Sequence, residues 1–376
     1  MAIKPLLDFA PKELSQDAFL IYLFENQEQD EFYPICSKLI ELWTGITNPR
    51  INRSELFGKR VGLSQCRRID VLLSFLINDI PYLIVLEDKV FSYHSKNQMK
   101  KSLENAQEIV NKTSNCYQKV NIVPVFLKST YLCQTTDSRN PWIERREVQE
   151  SYQEFLNEYK GKNVIGKLII NDLDDLYLIF KDTHVNNENI QAFADKITTW
   201  HNLAHDRNFK LSETHGKGGF LEREYYSDKE IDEDLLHFYG LFKRLATQVD
   251  SKFETSLGFS KEYNYVWLKA FAKNHKFDLP RFEIRSRDFK FKERKLFMRL
   301  VTWGLDPAEL NAELLEKCLN ESHIRHKDIK KVIEGKYKQI CEYDVFEADF
   351  RNGDDEQNIA KAINEVLNHF VAIFNI

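Results

Sequence analysis

The chain has 376 residues, of which 43% are hydrophobic, and only 13 glycines and 9 prolines, which excludes a largely disordered chain and predicts two folded domains or one elaborated domain. The formal net charge of −5 argues against nucleic-acid binding through global positive charge, but it leaves room for a local basic surface. No segment reaches the roughly 18 uninterrupted apolar residues of a membrane span, and the first residues lack a secretory pattern, so we expect a soluble cytoplasmic protein that does not contact membranes.

Predicted helices and strands alternate in the first half of the chain. Periodicity predicts helices at 14–26, 33–44, 95–111 and 145–160, and strands at 67–77, 81–91, 119–128 and 164–171. This pattern is typical of an α/β domain with a mixed sheet flanked by helices, which we place at residues 1–183. A polar break at 184–189 opens a predicted linker or bridging segment at 184–224.

The remaining region, residues 225–376, is predicted to be mainly helical, with a short basic β-hairpin. That hairpin is expected within RFEIRSRDFKFKERKLFMR at 281–299, which carries eight Lys and Arg residues against three acidic ones. Such a surface could follow phosphates, and the candidate contacts are Arg285, Arg287, Lys290 and Lys292. The alternative is an ordinary pair of strands with one solvated face.

A second hairpin is predicted within RRIDVLLSFLINDIPYLIVLEDKVF, where Asn78 and Asp79 separate two apolar strands. A turn centred between these two residues places Asp70 directly opposite Glu87. Opposed side chains lie about 4.5–5.5 Å apart at Cβ, and like charges at that distance destabilise a sheet. Some other group must therefore compensate the repulsion.

The alternation of side chains along a strand places Lys89 on the same face as both carboxylates and Asp88 on the other face. Two close carboxylates suit Mg²⁺, and a neighbouring lysine can orient the attacking water or offset charge during phosphodiester hydrolysis. The alternative is a salt-bridged strand end, in which Lys89 pairs with Glu87 and Arg68 pairs with Asp70.

The segments RIDVLL and YLIVLEDKVFSYHSKNQM resemble the PD-(D/E)xK nuclease superfamily. The resemblance is greatest to its branch in which I-E-[DN]-K is followed by a histidine and then by N-Q-L, with Met99 here in place of the leucine. It implies a restriction-endonuclease-like core in which Asp70 and Glu87 bind the metal, Lys89 is the catalytic lysine and Gln98 helps to place the attacking water or a phosphate.

The resemblance also implies an acidic metal ligand in the first helix, for which Asp17 is the candidate and Gln16 and Glu25 are alternatives. Similar proteins often carry a histidine at the position of His94, which could contact DNA near the start of the following helix or could simply be a polar residue flanking it. Arg68 is a further candidate for contact with nucleic acid.

These inferences predict a Mg²⁺-dependent endonuclease that acts on DNA, accepts Mn²⁺ in place of Mg²⁺ and forms a homodimer. By analogy, such a protein would serve prokaryotic DNA repair or defence against phage. The first alternative is a catalytically silent nuclease-like module that binds nucleic acid or a protein partner. The second is a regulatory or assembly subunit whose C-terminal region mediates contacts.

Overall fold

A computed structural model describes residues 12–58, 60–90, 97–113, 117–132, 134–135, 144–206, 228–260, 265–272, 281–285, 295–301 and 339–347, with short pieces between 313 and 317 and between 356 and 368. The chain forms two compact units, the first made of Met1–Leu132 and Trp142–His201 and the second of Cys133–Pro141 and Asn202–Ile376. No helix in the described part of the chain is long and apolar enough to cross a bilayer.

The helices and strands are numbered in chain order. The helices are α1 (Lys12–Glu25), α2 (Tyr33–Thr44), α3 (Gln98–Thr113), α4 (Glu144–Glu158), α5 (Leu173–Phe180), α6 (Glu188–His205) and α7 (Asp228–Gln248). The strands are β1 (Ile51–Arg53), β2 (Gly62–Cys66), β3 (Ile69–Ile77), β4 (Ile80–Lys89), β5 (Asn121–Lys128), β6 (Gln134–Thr135), β7 (Val164–Ile165), β8 (Ile169–Asn171), β9 (Phe253–Ser260), β10 (Tyr265–Ala272), β11 (Arg281–Arg285), β12 (Lys295–Val301) and β13 (Gln339–Glu347). The segment that we predicted as a linker thus contains α6 in its described part.

The first unit contains a seven-stranded sheet in which β1, β3, β4, β5 and β7 are neighbours in that order, while β2 pairs with β3 and β8 pairs with β5. β3 and β4 are antiparallel, and β4 and β5 are parallel. A parallel pair requires a crossover, and α3 lies in the connection between β4 and β5. The predicted α/β architecture, a mixed sheet flanked by helices, is therefore confirmed.

Apolar side chains cover both faces of this sheet. On one face, α3 packs against β4 and β5, because Met99 and Leu103 recur at helical spacing and join Leu83, Val85 and Phe126 in one buried cluster. On the other face, the ring of Phe24 from α1 lies 5.0 Å from that of Phe75 and 5.8 Å from that of Trp43. The strands β3 and β4 are therefore fixed from two sides, and so are the polar groups at their ends.

The second unit corrects the prediction of a mainly helical region at 225–376, which was wrong for the described residues. A six-stranded antiparallel sheet runs in the order β13, β12, β11, β10, β9, β6, and α7 packs on β9 and β10. The overlooked signal is the period of two in β10, where Val266, Leu268 and Ala270 are buried and their neighbours are not. RFEIR of the predicted basic hairpin forms β11, which pairs antiparallel with β12, while the other predicted strand, FKFKE at 289–293, lies outside the described residues.

Candidate functional site

The β3–β4 hairpin has the register that the sequence predicts. Cross-strand partners run from Ile77 opposite Ile80 to Val71 opposite Leu86, so the next pair in this register is Asp70 and Glu87. The two turn residues have positive φ angles, 51° for Asn78 and 66° for Asp79. Asn and Asp tolerate this left-handed conformation, which matches the twist of a two-residue hairpin.

Three donors hold the carboxylate of Asp70. Lys89 Nζ donates to Oδ2 at 2.8 Å, the backbone N–H of Asp88 donates to the same oxygen at 3.0 Å, and Gln65 Nε2 donates to Oδ1 at 3.3 Å. Lys89 also donates to the backbone carbonyl of Asp88 at 2.7 Å. The ion pair at this strand end therefore joins Lys89 to Asp70, whose side chains are 8% and 15% exposed.

The carboxyl group of Glu87 is fully buried on the same face. It accepts hydrogen bonds from Ser102 Oγ and Gln98 Nε2, both of α3. Burial, followed by the negative charge of Asp70, raises the pKa of Glu87 to about 8, although the Lys89 ammonium and the Ser102 hydroxyl act in the opposite direction. A side-chain hydrogen bond between the carboxyl groups of Glu87 and Asp70 raises the pKa further. The neutral form of Glu87 is therefore favoured in this environment.

The side chain of Asp88 points to the opposite face, as the alternation predicts. Its Oδ1 accepts a hydrogen bond from Gln16 Nε2 of α1 at 2.8 Å, and the same amide contacts Ser129 Oγ. Asp88 is 1% exposed. We conclude that the hydrogen bond between Gln16 and Asp88 holds α1 against the end of β4.

The buried carboxylate of Asp17, also on α1, reaches the cluster through an amide. Gln65 Nε2 donates to Asp17 Oδ2 at 2.9 Å and, as described above, to Asp70 Oδ1. The Gln65 side chain therefore links Asp17 to Asp70 of the carboxyl pair, while Gln16 donates its hydrogen bond to Asp88.

The structure describes some of the predicted site residues and not others. Asp70, Glu87, Lys89 and Gln98 lie together in one cluster, and Arg68 is exposed on the turn between β2 and β3. Arg285 is the last residue of β11 in the second unit. Four predicted contacts lie outside the described residues: His94, Arg287, Lys290 and Lys292.

Sequence reasoning missed two members of the cluster, Gln65 and Ser102. Ser102 follows Gln98 by four residues and thus lies on the same face of α3. Gln65 lies between Ser64, which is paired with Val71, and Cys66, which is paired with Ile69, so that it stands beside Asp70. The positions of both residues in the sequence fit these contacts. However, they become informative only once the packing of α3 and the pairing of β2 are known.

The donor set of this cluster suits a hard divalent cation. Asp70 and Glu87 offer carboxylate oxygens from opposed positions of the hairpin, and Mg²⁺ is usually held by one or two protein carboxylates with water completing its coordination. The charge of a divalent cation would offset the repulsion by Asp70 that contributes to the raised pKa of Glu87. Asp17 could serve as an additional oxygen ligand.

A different group of metal-ligating types lies on α5 and α6. Nε2 of His201 in α6 is 3.6 Å from Oδ1 of Asp174 in α5. An imidazole suits transition metals better than Mg²⁺, which prefers oxygen. This group therefore does not account for the predicted Mg²⁺.

No family model, curated protein or solved structure matches this chain. The resemblance to the PD-(D/E)xK superfamily stays a prediction from the quoted motifs.

Proposed function

We propose that this chain is a divalent-metal-dependent nuclease of the PD-(D/E)xK type, which hydrolyses phosphodiester bonds in DNA. The observation that carries the proposal is the hairpin register that places Asp70 opposite the buried Glu87, with the Lys89 ammonium 2.8 Å from Asp70. The mixed sheet with α3 between its parallel strands is compatible with a restriction-endonuclease-like core.

Asp70 and Glu87 are the residues that hold Mg²⁺ or Mn²⁺ in this proposal, with Asp17 as a further candidate ligand. When bound, such an ion lowers the pKa of a water molecule and stabilises charge that develops on the phosphate. Gln98 and Ser102 orient the Glu87 carboxyl group by hydrogen bonds from α3. Gln65 orients Asp70 and Asp17 in the same way.

Lys89 supplies the positive charge on this face. Because its ammonium group lies beside Asp70 and is largely shielded from solvent, its electrostatic effect is stronger than that of an exposed lysine. In the reaction it orients the attacking water or stabilises the developing charge on the phosphate.

The first prediction concerns the cation. We expect the purified chain to nick or linearise circular DNA in the presence of Mg²⁺ or Mn²⁺ and to be inactive with a chelator. Linear duplex DNA, single-stranded DNA and RNA should be tested in parallel to define the substrate. Cleavage that persists in excess chelator would contradict the proposal, and DNA binding without any cleavage would favour a silent nuclease-like module.

The second prediction concerns Lys89. The Lys89→Ala variant is expected to cleave about a hundredfold more slowly, since a positioned acid–base or charged group typically contributes 10²–10⁴-fold. Lys100→Met is the matched control, because it removes an ammonium group of α3 that pairs with the exposed Glu158. Thermal melting should establish that both variants fold. Cleavage by Lys89→Ala at the rate of the control would exclude a catalytic role for this lysine.

A further inference from the structure

A cavity of about 430 Å³ lies between the β2–β3 turn and α3, and the carboxyl pair does not account for it. Its lining consists of Arg67, Arg68, Lys101, Glu104 and Asn105. Three of these side chains are cationic and one is anionic, so the walls carry an excess of positive charge. The volume falls within the range of about 300–1,000 Å³ that is common for ligand sites.

The local backbone fixes the position of the two arginines. Cys66 pairs with Ile69, so that Arg67 and Arg68 form a two-residue turn, and their φ angles are 52° and 69°. A non-glycine residue adopts this left-handed region only under strain. The turn is held in this conformation by Asn105, whose Nδ2 donates to the backbone carbonyl of Arg67 at 2.7 Å. The hairpin and the helix therefore hold the cavity walls at a fixed separation.

The cations of the cavity are not all neutralised. Arg67 Nη1 is 2.7 Å from Glu108 Oε2 and is thus paired. Arg68 and Lys101 form no ion pair with any residue in the described part of the chain. A guanidinium and an ammonium group that face one cavity form a site for a phosphate, since arginine can contact two oxygens at once and lysine adds a point charge.

Two elements that line the cavity also carry residues of the carboxyl cluster. Arg68 lies on the turn just before β3 and precedes Asp70 by two residues. Lys101 directly precedes Ser102, which donates to Glu87, and follows Gln98 by three residues on α3. A strand of nucleic acid that presents one phosphodiester to the carboxyl pair would therefore bring a nearby phosphate to the cavity.

We propose that this cavity binds a phosphate group of the nucleic-acid substrate, next to the phosphodiester that is cleaved, through Arg68 and Lys101. The proposal rests on the proposed function and specifies how that site holds its substrate. Glu104 places a negative charge in the same cavity and weakens the attraction.

The test is a binding measurement in the presence of a chelator, where cleavage cannot interfere. Fluorescence anisotropy with a labelled DNA oligonucleotide should show about tenfold weaker binding for the Arg68→Ala/Lys101→Ala double variant, which corresponds to about 1.4 kcal/mol. The dependence of log Kd on log salt concentration should become shallower by about one for each cation removed. Glu104→Gln should bind more tightly. The control is Lys38→Ala, which removes an exposed ammonium group of α2.

The source of the phosphate is resolved by the choice of probe. An equal loss on oligonucleotides with hydroxyl and with phosphate ends identifies an internal phosphate, and a loss only on end-phosphorylated strands identifies a terminal one. Both results support the proposal. It is overturned if the double variant binds like Lys38→Ala, or if inorganic phosphate binds in a way that depends on Arg68 and Lys101 while the affinity for oligonucleotides does not.

The two proposals can fail separately. If the wild type cleaves nothing with any cation but the double variant loses binding, the phosphate site stands and the nuclease assignment fails. If the wild type cleaves DNA and the double variant cleaves it with the same KM, the cavity has no part in substrate binding and only the nuclease assignment stands.

Discussion

The Glu87→Gln variant is expected to lose about a thousandfold in cation-dependent cleavage while it folds like the wild type at pH 6. A thousandfold loss corresponds to about 4 kcal/mol of transition-state stabilisation, which is the scale of a metal's contribution. Glutamine is close in shape to the protonated glutamic acid that the raised pKa implies at that pH, and its amide can remain bonded to Ser102 and Gln98. It cannot supply the negative charge that a divalent ion requires.

The measurement is a cleavage time course with Mg²⁺ and with Mn²⁺, combined with thermal melting in a chelator. Glu158→Gln is the matched control, because it makes the same chemical change at an exposed carboxylate. Asp70→Asn is expected to show the same loss of activity, with some loss of stability, because Asp70 is charged and paired with Lys89. If Glu87→Gln cleaves within about tenfold of the wild type, Glu87 contributes at most about 1.4 kcal/mol of transition-state stabilisation, and the metal centre must lie elsewhere.

The part of the site that could be predicted from sequence is the part that local rules determine. Asn78 and Asp79 define a two-residue turn, and the pleat then determines which side chains oppose each other and which face they share. For this reason the register, the proximity of Asp70 to Glu87 and the opposite direction of Asp88 followed from the sequence.

Contacts between elements distant in sequence could not be predicted in the same way. Nothing local indicates that Gln65 bridges Asp17 and Asp70, because α1 and β2 come together only through packing on the sheet. The partner of Lys89 was also missed, since the salt-bridged alternative paired Lys89 with Glu87, whereas the structure pairs it with Asp70. Burial decides in favour of Asp70: Glu87 is so deeply desolvated that its neutral form is favoured, which leaves Asp70 as the stronger partner for the ammonium group.

The architecture of the C-terminal region escaped prediction for a related reason. In β10, YVWLKAFA, the partly exposed Trp267 and Lys269 alternate with buried Val266, Leu268 and Ala270 over only eight residues. Such segments resemble amphipathic helices when they are judged by composition, and only their pairing with neighbours distinguishes the two. Long apolar strands such as β4 are free of this ambiguity, which is why the first unit was predicted more accurately.

The protonation of Glu87 links the stability of the protein to pH and to divalent cations. Its pKa of about 8 in the folded protein exceeds the ordinary value of 4.5, so the folded state binds this proton more tightly than the unfolded chain does. The resulting stabilisation is complete below the unfolded pKa and is lost as pH rises through about 8; its full size is on the order of 5 kcal/mol. In a chelator, the Glu87-dependent part of the free energy of unfolding should therefore decrease as pH rises from about 4.5 to about 8.

A cation that takes the place of the proton should reverse this trend. Below pH 8, binding of Mg²⁺ or Mn²⁺ must displace the proton of Glu87 and is therefore weaker, whereas above pH 8 the carboxylate is already charged. The rise in Tm that the cation produces should thus grow as pH increases to about 8 and then level off. Glu87→Gln should show neither the pH-dependent loss nor the gain from the cation, and Glu158→Gln should show both. A cation effect of equal size at low and high pH would mean that the ion binds outside the Asp70–Glu87 pair, because only at this pair does a proton compete with the cation. A cation effect that survives in Glu87→Gln would mean the same.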